Sequence, residues 1–122
     1  MAWTVASLMP EWPIIEIVAE GTITDADGRE LQMAVHPFVE VDGLVRVLYD
    51  ATNLRRMPTA SEIIEFADDL SDRGLPEGFR HAHVQPEDPT ASMWVAHWVA
   101  SARNRGVQAD VFRTRHEAIS WL

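Results

Sequence analysis

Cysteine and lysine are both missing from the 122 residues. Without cysteine there is no disulfide framework, no thiolate nucleophile and no Cys-ligated zinc or iron–sulfur centre, and a reducing, cytoplasmic setting is expected. Without lysine, Schiff-base chemistry and lysine-dependent phosphate loops are excluded. Positive charge is scarce as well: ten basic residues, all arginine, stand against nineteen acidic ones, for a net charge of −9. Such a surface repels phosphate backbones and anionic lipid, so nucleic acid is not an expected partner. Long hydrophobic runs are lacking. The longest uncharged apolar stretch, residues 89–102, includes His97 and is too short to cross a bilayer. The first ten residues place no positive segment ahead of an apolar core, so they do not read as a signal peptide. Catalytic signatures are also wanting, with no Gly-x-Ser-x-Gly and no Gly-x-Gly-x-x-Gly. A non-enzymatic protein with no cofactor is expected.

What is present reads as alternating elements in one domain over residues 1–122, a length that buries about two thirds of the unfolded chain's surface. Residues 2–9 suit a strand, and the two prolines Pro10 and Pro13 force a turn. Residues 14–23 suit the returning strand, with Ile15 and Ile17 on one face and Glu16 and Glu20 on the other; Gly21 inside it marks a bulge. From Asp25 the spacing of Leu31, Ala34 or Val35, and Phe38 becomes helical, and Pro37 is expected to limit that helix. Residues 44–50 are apolar on both faces apart from Arg46, as in a central parallel strand. A loop over residues 51–58 is expected next. Then comes a helix opened by the capping box of Thr59 and Glu62, with a stripe of Ile63, Phe66, Ala67 and Leu70 and a stop at Gly74. Residues 79–85 form a strand. Asp88 and Pro89 open a helix to about residue 105, apolar almost all round and therefore expected to be largely buried. Residues 107–113 are the last strand, and Thr114 with Glu117 starts a terminal helix.

Four constellations bear on function. Asp50, Thr52, Thr59 and Ser61, with Arg55 and Arg56, surround the start of the helix after the central strand. Unpaired amides there favour an anion, and in open α/β sheets ligands collect at that end. The plainer account makes Asp50 a turn residue, Thr59 a cap and the arginines solvated. His81 and His83, two apart on a strand, share a face; such pairs occur in metal sites, and His97 is the nearest third ligand. The plainer account is two histidines on a half-exposed face. Trp94 and Trp98, one turn apart, can line a cleft for a small apolar ligand, against which stands an ordinary core role. Trp3 and Trp12, on a hairpin near the chain end, suit a homodimer or protein-partner contact.

The order strand, strand, helix, then strand and helix three times over predicts an α/β fold: a mixed, mainly parallel sheet of about five strands with four helices. With this order the chain resembles the STAS/SpoIIAA-like superfamily. The matching residues are the run Val18-Ala19-Glu20-Gly21-Thr22-Ile23-Thr24, residues 45–50, and the close from Val111-Phe112-Arg113 to Glu117-Ala118-Ile119-Ser120-Trp121-Leu122. The resemblance implies a small stand-alone SpoIIAA-like domain with a regulatory or ligand-binding role. The best-studied members are anti-anti-sigma factors with a phosphorylated serine in an Asp-Ser-Ser-Gly loop; this chain has Pro58-Thr59-Ala60-Ser61 there and lacks that motif. Other members of the superfamily, and the CRAL-TRIO-like domains grouped beside them, bind lipids or other small ligands, which leaves a lipid-like cargo as a second reading and a metal site at His81 and His83 as a third.

Overall fold

The computed structural model describes residues 2–57 and 76–122. Their elements are β1 (Trp3–Ser7), β2 (Ile14–Thr22), α1 (Asp25–Glu40), β3 (Arg46–Arg56), β4 (Arg80–Val84), α2 (Pro89–Asn104), β5 (Gln108–Phe112) and α3 (Arg115–Trp121). The five strands lie in chain order in one sheet, β1 antiparallel to β2 and all other neighbours parallel. The mixed, mainly parallel α/β sheet expected from the sequence is therefore present, with three helices among the described residues where four were expected. The expected helix from Thr59, with its stripe and its stop at Gly74, lies outside the described residues.

Alternation along the strands sorts side chains to two faces. Ile15, Ile17 and Ala19 of β2, Val47 and Tyr49 of β3, and Ala109 of β5 enter a large core under α1 and α2. Ile14, Leu48, Ala82 and Val84 point the other way, into a smaller core closed by Ala118 and Leu122 at the end of the chain. Arg80 holds α3 down at its far end: its Nη1 donates to the Trp121 carbonyl at 2.8 Å and its guanidinium lies 5.4 Å from the Trp121 ring centre.

Local chemistry accounts for the helix ends. Thr24 and Asp27 form a reciprocal capping box at α1, the Asp27 amide donating to the Thr24 hydroxyl at 3.1 Å and the Thr24 amide to the Asp27 carboxylate at 3.0 Å. Pro37 does not limit this helix as expected; α1 runs on to Glu40. The proline removes its own N–H, but its carbonyl still accepts from the Val41 amide at 2.9 Å, and Phe38 and Val39 pack on the large core beyond it. At α2, Asp88 accepts from the Ala91 amide at 2.9 Å and Pro89 takes the first helical position, as the sequence predicts. The expectation of a largely buried α2 holds for one face only: Ala91, Val95, Trp98, Val99 and Ala102 are buried, whereas Met93 is 74% exposed and His97 faces solvent.

The largest correction concerns residues 51–56 of the loop expected over residues 51–58. Instead of leaving the sheet after Asp50, the chain stays paired with β2 to Arg56. It does so through two irregularities, in which Ala51 and Thr52 oppose the single Ala19, and Arg55 is the extra residue between the Gly21–Leu54 and Thr22–Arg56 pairs. The bulge expected at Gly21 is there, with φ +63° at the glycine. The extra residues reverse the alternation, so Ala51 and Leu54, three apart, are both fully buried in the large core.

Candidate functional site

Asp50 shapes the first bulge. Its Oδ1 accepts from the Thr52 amide at 3.1 Å and from the Thr52 hydroxyl at 2.6 Å, which holds the extra residue in place. The Thr52 carbonyl, turned away from β2, accepts from the Glu87 amide at 3.1 Å and so ties the entrance of α2 to β3. On the other side the Glu20 amide donates to the Ala2 carbonyl at 2.8 Å. Between these ties, at the carboxyl ends of β2 and β3, lies an open cleft of about 750 Å³ lined by Glu20, Thr22, Thr52, Asn53, Arg55 and Glu87 among others. Its lining carries the carboxylates of Glu20, Glu87 and Asp88 against the guanidinium of Arg55, so its charge is net acidic.

Beneath α2 sits a second arrangement. β4 points His81 and His83 into the large core, where they are 7% and 1% exposed; the half-exposed face expected for them is corrected. Their rings stack with centres 4.6 Å apart and their Nδ1 atoms at 3.3 Å. Tyr49 stacks on His83 at 4.8 Å, and Trp98 leans on both imidazoles at 4.8 and 4.9 Å. At that distance the two Nδ1 atoms can share one hydrogen when the neutral rings carry opposite tautomers. Burial holds His81 down to about 3 and His83 well below its usual value, His81 adding to the effect on His83, so both are neutral around pH 7. Burial likewise raises the Tyr49 phenol.

The sequence-predicted residues thus separate. Thr52 and Arg55 line the cleft, with Asp50 joined to it through Thr52; Arg56 is exposed at the end of β3, and Thr59 and Ser61 lie outside the described residues. Trp98 is buried on the histidines, while Trp94 is half-buried and T-shaped to the His97 ring, 6.4 Å between centres. His97 is on the solvent side of α2, away from the pair, and among the described residues no group of three or more His, Cys, Asp or Glu is placed to hold a metal ion. Sequence reasoning missed Glu20, Thr22, Asn53 and Glu87 as cleft residues. The one signal for them was Gly21, whose bulge brings the end of β2 into register with β3.

The order of strands and helices and the mixed, mainly parallel sheet define a small α/β domain of the SpoIIAA type. The chain belongs to the SpoIIAA-like family, whose model matches residues 14–122. Among solved structures it is similar to an uncharacterised protein with a SpoIIAA-like fold from Shewanella loihica PV-4, at a TM-score of 0.61 and 15% identity over 99% of this chain and 92% of that one. A structure of Mglu aligns with 92% of this chain and 19% of its own at 12% identity; its TM-score of 0.38 carries no argument. No curated protein matches. Among the described residues no helix is long and apolar enough to cross a membrane.

Proposed function

We propose that this chain is a non-enzymatic regulatory or ligand-binding module whose working surface is the cleft at the carboxyl ends of β2 and β3. The observation that carries this is the cleft itself, formed where the bulges of β3 and the anchored entrance of α2 leave a polar concavity at the end of a parallel sheet. Its net acidic lining favours a partner segment or small ligand that presents positive charge and hydrogen-bond donors, in place of the anion expected from the sequence. The lipid-carrier reading has less support, because the space beneath Trp98 is occupied by the rings of His81, His83 and Tyr49.

Titration of the isotope-labelled full chain with spermidine and with an arginine-rich peptide tests the reading by NMR. Amide shifts confined to Gly21, Thr22, Asn53 and Arg55, and lost in the charge reversal Glu20→Lys with Glu87→Lys, are the expected result. Both reversed positions are exposed, so the fold should tolerate them within about 0.5 kcal/mol. Shifts spread over the surface, or unchanged by the reversal, sink it.

A further inference from the structure

The buried histidine pair has no part in the cleft, yet it lies where α2 meets the sheet. Among the described residues, the groups around it are Phe79 just before β4, Tyr49 on β3 and Trp98 on α2, with Ala109 and Val111 beside it on β5. Tyr49 is the one other titratable group in that set, and none of them is a carboxylate. A cation formed here has no counter-charge among these neighbours and is shielded from solvent by the core. The shared hydrogen adds a second constraint. With Nδ1 atoms 3.3 Å apart, one imidazolium can still donate to a neutral partner, whereas two imidazolium rings would aim two N–H groups at each other.

We propose that His81 and His83 form a proton-sensitive latch: when the pair takes up protons, Trp98 is expelled and α2 swings away from the sheet while the rest of the fold stays closed. The division of the core allows this. α2 covers the β4–β5 side of the large core through Val95, Trp98, Val99 and Ala102, whereas α1 packs against β1 and α3 closes a separate cluster on the opposite face. Because Asp88 begins α2 and lines the cleft, opening the latch removes one cleft wall. The latch depends on α2 and the pair alone, whatever the cleft binds.

Amide hydrogen exchange on the full chain, read residue by residue between about pH 7 and pH 4.5, tests it. The protection of the Val95, Val99 and Ala102 amides should fall by about tenfold or more per pH unit below about 6, approaching a hundredfold where opening takes up two protons, and should stay well below that of Ile15, Ile17 and Leu48, which open only with the whole fold. The double substitution His81→Phe with His83→Phe keeps the aromatic stack without the titration and should leave α2 protected across the range. The latch is overturned if the α2 amides are as well protected as Ile15, Ile17 and Leu48 at every pH, so that α2 opens only with the whole fold, if α2 does not respond, or if the Phe variant opens as the original does. Should the variant fail to fold, imidazole nitrogen shifts of the original chain decide: protonation of the pair at a pH where α2 remains protected also overturns it.

Discussion

The two faces of the sheet are cut from the same strands and differ in what they ask of the solvent. β4 turns Ala82 and Val84 to the α3 side, where they join Ile14, Leu48, Ala118 and Leu122 in a wholly apolar cluster. The alternate residues of the same five-residue strand, His81 and His83, go to the α2 side and bring ionisable groups into the larger core. Burial of hydrocarbon stabilises at any pH, while burial of imidazole stabilises only where the ring is neutral. The α3 face should therefore be indifferent to acid and the α2 face sensitive to it.

The contrast is broken most severely on the apolar side. Leu48 has no exposed surface, and Leu48→Ala should cost about 3 kcal/mol, with a similar cost at pH 7 and pH 5, as read from urea denaturation. A marked change in that cost with pH would mean that the two faces are not independent. The acid response of the other face comes next. His81 has a depressed value of about 3 against 6.5 in the unfolded chain. The folded state therefore binds fewer protons, and the stability it contributes is complete above 6.5 and lost as the pH falls from there towards 3. From pH 6.5 to 5, global stability should drop on the order of 2 kcal/mol through His81 alone, with His83 acting in the same direction. A flat profile over that interval would remove the asymmetry. The smallest effect separates the cleft from both cores: Asp50→Ala frees the Thr52 amide and hydroxyl and should cost about 1 kcal/mol with no pH dependence beyond that of the parent, measured by thermal melting at pH 7 and pH 6.

The elements with strong local signals were legible. The Asp88–Pro89 start of α2, the turn between Pro10 and Pro13, the bulge at Gly21 and the pairing of His81 with His83 on one face all follow from side-chain chemistry within a few residues. Two expectations failed for one reason, namely that distant contacts outweighed a local rule. Pro37 should close α1, but the core contacts of Phe38 and Val39 carry it one turn further. Residues 51–56 look like a loop because their apolar positions are three apart, and they are strand because β2 accepts two extra residues through bulges. An alternation broken twice within six residues cannot be distinguished from no alternation without the partner strand in view.

Composition and period by themselves determined the α/β class, the number of strands and the exclusion of thiol, lysine and phosphate-loop chemistry, because these depend on residue types and their spacing along the chain. Tertiary structure alone decided that Thr52 and Arg55 line one cleft with Glu20 and Glu87, and that Trp98 covers two buried imidazoles. Those facts join residues tens of positions apart, and whether a histidine is solvated or dry is a property of what packs over it, which no local sequence window contains.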